Sequence, residues 1–182
     1  MNIITTSIRD VVVIEPRVFE DDRGYFFESY NESKMPDYLA QVDWVQDNES
    51  KSSRGVLRGL HYQCGEYAQA KLVRAIVGEI YDVAIDLRPD SPTYGTYHAE
   101  MLSATNKKQM YVPRGFAHGF VVLSETAIFS YKCDNYYNKA AEGGLAYNDP
   151  TLSIPWPIAQ DQILVSEKDA ELPNLGHHKA AL

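Results

Sequence analysis

Arg58-Gly59-Leu60-His61-Tyr62-Gln63 sets an arginine and a histidine into a run, Val56 to Gln63, that otherwise reads as a strand. Buried charge is costly unless it is paired or put to use. Strict alternation sends Arg58 and His61 to opposite faces of a strand, but Gly59 lies between them and can host a bulge that turns both into one cavity. Five further segments carry side chains fit for chemistry. Phe19 to Glu28 places Arg23, Phe26 and Glu28 on one hairpin. Gln46-x-Asn48-x-Ser50 offers amides suited to reading a base edge. Gln69-x-Lys71-Leu72-Val73-Arg74 adds two cations near the histidine strand. Pro113-x-Gly115-Phe116-Ala117-His118 sets a second histidine after a tight turn, and Ser166-Glu167-Lys168-Asp169 brings a carboxylate able to orient an imidazole.

Each segment also has a plain structural reading. A hairpin arginine often forms only a surface ion pair, loop amides often bond their own backbone, and a lone histidine is often a satisfied core residue. The order and spacing of all six favour a shared site over six coincidences.

The elements that must position them are strands. At 182 residues, 45% apolar and 23% charged, the chain reads as one globular domain able to bury a sizeable core. Thirteen tyrosines favour strands and pocket walls. Short strands are expected at Val11–Phe19 and Tyr25–Tyr30, with a turn at Asp21–Gly24 and a brief helix capped by Asn31 or Ser33 before a weak strand at Val42–Val45. Gln46–Gly55 reads as a polar loop. Seven strands then follow: Val56–Gln63, Ala70–Val77, Glu79–Arg88, Thr96–Ser103, Gln109–Val112, Ala117–Leu123 and Ala127–Cys133. Turn signals separate them, as in a β-sandwich or barrel. In Ile80–Arg88, Tyr81, Val83, Ile85 and Leu87 share one face and Asp82, Ala84, Asp86 and Arg88 the other. Either a polar, liganded lumen or a half-solvated sheet gives that pattern. Beyond Glu142 only short elements are expected.

A formal charge of −8 argues against a nucleic-acid partner, though a local cationic cluster can still hold a small anion. Cys64 and Cys133 make neither a disulfide framework nor a metal spacing. With no secretion signal at the N-terminus and no early apolar run long enough for a membrane span, a cytoplasmic location is the expectation.

The Pro113-x-Gly115-x-x-His118 segment resembles the second motif of the cupins, double-sheet jelly rolls. Metal-binding cupins pair it with an earlier His-x-His followed by a glutamate; here that motif offers only His61, with Gln63 where the second histidine would be. Two imidazoles with no supporting carboxylate from that motif make a poor catalytic metal site, which leaves the histidines for proton transfer. Further motifs narrow the resemblance: Phe-x-Asp-x-Arg-Gly-x-Phe-x-Glu, Gln-x-Asn-x-Ser, Gly55 to Gln63, Lys71-Leu72-Val73-Arg74, Asp86-Leu87-Arg88, Ser91 to Gly95, Pro113 to Phe120, Tyr131-Lys132, Asn148-Asp149-Pro150 and Ser166 to Asp169. In this order, over essentially the whole chain, they resemble the dTDP-4-dehydrorhamnose 3,5-epimerase family. Tyr97 and Tyr147 stand where tryptophan is expected.

The resemblance implies an all-β fold, a cupin-type double-stranded β-helix with short peripheral helices, forming a single domain over 1–182. It implies a dTDP-4-keto-6-deoxyhexose substrate and no cofactor or metal. It makes His61 the base held by Asp169, Lys71 the cation beside the developing enolate, and Tyr131 the acid. His118 lines the sugar pocket, Arg58 meets the diphosphate, and Gln46 and Asn48 serve the nucleoside. Glu142 and Lys168 fall at ligand positions. Arg23, Phe26 and Glu28 reach the nucleotide from the neighbouring subunit of a homodimer. Two alternatives stand beside this: an epimerase acting at one carbon of a related dTDP-keto sugar, and a sugar-binding or metal-dependent cupin.

Overall fold

The computed structural model describes residues 1–182. In chain order the strands are β1 (Asn2–Thr5), β2 (Val12–Glu15), β3 (Val18–Asp21), β4 (Gly24–Phe27), β5 (Gln46–Ser53), β6 (Leu57–Gln63), β7 (Lys71–Val77), β8 (Glu79–Asp86), β9 (Tyr97–Ser103), β10 (Gln109–Val112), β11 (Phe116–Val122), β12 (Thr126–Cys133) and β13 (Glu142–Gly144). Two four-residue helices, α1 (Asp37–Ala40) and α2 (Glu167–Ala170), and a few 3-10 turns complete the chain. One sheet runs β1-β2-β10-β7-β12-β5 and faces a second, β13-β6-β11-β8-β9; β3 and β4 form a separate hairpin. This is the double-sheet jelly roll of the cupins.

Three apolar layers follow from the alternation. Ile80, Ala84, Phe120, Val122, Phe129, Val73 and Met110 pack between the sheets. Val83, Ile85, Leu87 and Ala117 point the other way and are roofed by Leu145, Leu152, Ile154 and Ala181. Leu39 of α1 and Met35 cover Val12, Ile14 and Leu72 on the outside of the first sheet. Each fully buried valine, leucine, isoleucine, methionine or phenylalanine among them contributes about 2 kcal/mol. The β8 pattern therefore belongs to a sheet buried on both sides, and the half-solvated reading falls away.

Three expectations need correction. The run Val11–Phe19, expected as one strand, breaks at Pro16 and Arg17 into β2 and β3, which belong to different sheets. Val42–Val45 is not a strand, and the stretch from Gln46, expected to be a loop, is the eight-residue strand β5. Its side chains alternate between half-buried (Gln46, Asn48, Ser50, with Ser52 buried) and exposed (Asp47, Glu49, Lys51, Ser53). An apolar face was the signal sought, and β5 has none because its inward face lines a polar cavity. Its exposed charges suit a strand at a sheet edge.

The bulge at Gly59 is present. On β11 only Gly119 separates His118 from Phe120, while on β6 Gly59 and Leu60 separate their partners His61 and Arg58. Gly59 has φ +119°, and a Cβ there would lie 2.6 Å from the Gly119 Cα. Only glycine fits.

Candidate active site

A cavity of about 610 Å³ opens between the sheets, and Arg58 and His61 both line it. A second lobe of about 320 Å³ shares Asn48, His61, Lys71 and Tyr131 with it and adds Gln46, Tyr137 and Glu142.

On the wall formed by the second sheet, His61 Nε2 lies 2.7 Å from Asp169 Oδ1, which leaves the other ring nitrogen free. Asp169 is placed by α2: the Ser166 hydroxyl accepts its N–H at 3.1 Å, and the short helix turns the carboxylate inward and Lys168 outward. The Gly59 N–H donates to Asp169 Oδ2 at 3.3 Å, so the bulge also braces the carboxylate. Burial alone would raise the Asp169 carboxyl; the His61 hydrogen bond and charge with the Gly59 N–H outweigh it and hold it below its ordinary value.

Beside it on the same wall stands His118, paired across the ladder with His61. Its Nε2 is 2.8 Å from Asp82 Oδ1, and its ring stacks on Phe129 at 5.9 Å. Asp82 is fully buried, and burial pushes its carboxyl up against the pull of His118.

Across the cavity, on the first sheet, Tyr131 lies in register between Asn48 and Val73, and Cys133 lies between Gln46 and Lys71. Side chains two apart share a face, so Lys71, Tyr131, Asn48 and Gln46 point the same way. Burial pushes the Lys71 ammonium down, with Cys133, Asp82 and Glu142 opposing. It pushes the Tyr131 phenol up, helped by Cys133 and opposed by Arg58, which keeps the hydroxyl protonated at neutral pH. Lys71 Nζ sits 6.0 Å from the Tyr131 ring centre.

At the rim, Arg58 is exposed to the cavity and its Nε donates to the Ser52 hydroxyl at 3.0 Å. Lys168 forms an ion pair with Glu142, whose other oxygen accepts the Tyr137 hydroxyl at 3.2 Å. Gln46 donates to Asn48 at 3.0 Å.

Thus His61, Lys71, His118, Tyr131 and Asp169 converge, with Arg58, Gln46, Asn48, Glu142 and Lys168 around them. Arg23, Phe26 and Glu28 do not. They lie on the β3–β4 hairpin, outside the cavity, where Arg23 pairs with Asp21 and Glu28 binds Asn31 and Lys34. Sequence reading missed Asp82 and Ser52 as partners of His118 and Arg58. Gln63, standing where a metal cupin has histidine, is 5% exposed and accepts the Asn138 N–H at 2.8 Å, a structural bond. No three His, Cys, Asp or Glu side chains converge as a metal set.

A family profile described as dTDP-4-dehydrorhamnose 3,5-epimerase matches residues 5–177. The chain is 53% identical over 176 residues to the dTDP-4-dehydrorhamnose 3,5-epimerase of Salmonella typhimurium, with 96% of each chain covered. The crystal structure of dTDP-4-dehydrorhamnose 3,5-epimerase from Elizabethkingia anophelis superposes with a TM-score of 0.91 at 56% identity, again over 96% of each chain. That of a Legionella pneumophila dTDP-6-deoxy-D-glucose-3,5-epimerase in complex with dTDP-4-keto-L-rhamnose gives 0.90 at 46% identity, over 95% of this chain and 92% of that one. Matches of this extent leave one assignment: the chain belongs to the dTDP-4-dehydrorhamnose 3,5-epimerase family.

Proposed function

We propose that residues 1–182 act as one epimerase domain that inverts C3 and C5 of dTDP-4-dehydro-6-deoxyglucose, giving dTDP-4-dehydrorhamnose in dTDP-rhamnose biosynthesis. The C4 ketone acidifies the hydrogens on both flanking carbons. His61 takes such a proton, and the C–H electron pair moves to the C4 oxygen as an enolate. Asp169 stabilises the imidazolium, and Lys71 stabilises the enolate oxygen. Inversion then requires a proton on the opposite face of the sugar ring, because return from His61 restores the starting centre. Tyr131 supplies it, with Lys71 near enough to favour the phenolate.

One observation carries this reading: His61 and Tyr131 stand on facing walls of one cavity, so a flat enolate between them meets a base on one side and an acid on the other. His118 lines the sugar end. Arg58 binds the diphosphate, Gln46 and Asn48 the nucleoside, and Glu142 and Lys168 the rim of the bound ligand. The relative solved with dTDP-4-keto-L-rhamnose supports a ligand of this class.

The working unit is a homodimer, and Arg23, Phe26 and Glu28 of each hairpin serve the nucleotide site of the other subunit. Support comes from the hairpin itself, which joins neither main sheet and leaves Phe19, Tyr25 and Phe26 at 50%, 58% and 66% exposure. Such an aromatic surface calls for a cover. No helix is long and apolar enough to cross a membrane, and we place the enzyme in the cytoplasm with its nucleotide-sugar substrate.

Incubation with the 4-keto sugar in deuterated water tests the reaction. Deuterium at both C3 and C5 of a dTDP-4-dehydrorhamnose product is the expected result. Label at a single carbon would make the chain a one-carbon epimerase. Absence of exchange with stoichiometric bound metal would make it a metal-dependent cupin.

A further inference from the structure

The inner face of the second sheet carries a line of polar side chains through an apolar layer. His118 opens it in the cavity, Asp82 follows at 0% exposure, and His98 and Glu100 of β9 continue it toward the Lys108 side. Ile80, Ala84, Leu102 and Phe120 pack around it. Two atoms in this line are buried with no hydrogen-bond partner: Asp82 Oδ2 and His98 Nε2.

A carboxylate shut away from water holds its charge only when donors reach it, and a buried acceptor left alone costs about 1–3 kcal/mol. His118 supplies one donor, to Oδ1. The second must come from a neighbour. Asp82 pairs across the ladder with Glu100, and Ala84 with His98, so His98 is the diagonal neighbour of Asp82 on the same face. Diagonal residues lie about 7–8 Å apart at Cα, within reach of an imidazole. Glu100 does not take up His98: its carboxylate is 3.8 Å away, beyond a hydrogen bond, and is held by Lys108 at 2.9 Å. Burial holds the His98 imidazole below its ordinary value, so at neutral pH it is uncharged and has one ring N–H to give.

We infer that His98 is a positioning residue for the epimerase, its Nε2–H donating to Asp82 Oδ2 through one buried water and so keeping Asp82 an anionic anchor for His118. The consequence for rate rests on the reaction proposed above; the link between His98, Asp82 and His118 does not. Without that donor the Asp82 carboxyl takes up a proton, and the bond from the His118 N–H loses the negative charge that strengthens it and fixes the ring orientation in the sugar pocket.

His98→Leu and His98→Gln separate this role from packing. In the substrate-free protein, the downfield proton resonance of the His118 ring N–H bonded to Asp82 is expected in wild type, retained in His98→Gln, whose amide can donate, and shifted upfield in His98→Leu, where the acceptor is neutral. The leucine variant should show kcat reduced roughly tenfold or more with KM unchanged, and the glutamine variant should recover most of it. Should the leucine variant not fold, His98→Phe takes its place as a flat ring without an N–H. A His118 resonance untouched by leucine, or wild-type kcat in that variant, overturns the proposal. A wild-type protein without epimerase activity would sink the reaction instead, and the resonance comparison would still judge the link to Asp82.

Discussion

Asp82 and Asp86 lie on the same strand, β8, and both are completely buried, yet they live in opposite surroundings. Asp86 accepts from Arg88 Nε at 2.9 Å and Nη2 at 2.7 Å, from the Arg88 N–H at 3.0 Å, from Ser91 at 2.6 Å and from Thr93 at 2.7 Å. Burial alone would raise its carboxyl; these donors bring it down to about 2. Asp82 has one donor, His118, and burial pushes it up. A saturated buried charge ties a loop to a sheet. A half-satisfied one costs stability, and it sits here where an imidazole facing the cavity needs an anchor.

The largest effect should fall on the imidazole with the better-anchored carboxylate. His61→Ala is expected to lower the epimerisation rate by about 10²–10⁴-fold or more, read as lost deuterium wash-in at both carbons. Undiminished exchange would remove His61 as the base. Asp86→Asn should cost about 3 kcal/mol in chemical denaturation and leave kcat unchanged, since it breaks a buried ion pair remote from the sugar. Asp82→Asn should do the reverse, lowering kcat roughly tenfold with little change in stability. If both variants lost stability alike, the contrast between the two aspartates would collapse.

Acid should expose the same contrast. The folded pKa of Asp86 lies below its unfolded value of 3.8, so its stabilisation is full above that value and is lost as pH falls toward about 2. This amounts to about 2 kcal/mol. In Asp86→Asn, the drop in stability across that window should shrink by that amount. The smallest change is expected at the hairpin: Arg23→Ala should raise KM about tenfold through a lost charge-assisted contact with the nucleotide, with kcat kept. A stable monomer with full activity would defeat the shared site altogether.

The strands from β6 to β12 were legible because their alternation is apolar on at least one face. Gly59 was legible as a bulge because a glycine between two functional side chains has few other uses. β5 was not: its inward face is Gln46, Asn48, Ser50 and Ser52, and polarity on both faces reads as loop until a cavity is known to lie inside. His61 and Asp169 are 108 residues apart, a separation no local pattern can bridge, so only family resemblance joined them. Asp82 was the avoidable miss. A carboxylate between Ile80 and Ala84 on a strand poses the same question as Arg58 and His61, and the same reasoning would have found it.

Inversion needs an acid facing the base from the other wall, and Tyr131→Phe tests that with the ring and its packing on Phe129 kept. The substrate is turned over by this variant in deuterated water, and exchange and inversion at C5 are followed separately by NMR. Exchange at C5 should persist through His61 while most inversion there is lost; inversion at C3 should survive in part, where water reaches that face. Inversion at C5 at the wild-type rate would contradict the account, leaving Tyr131 a core residue and the acid elsewhere.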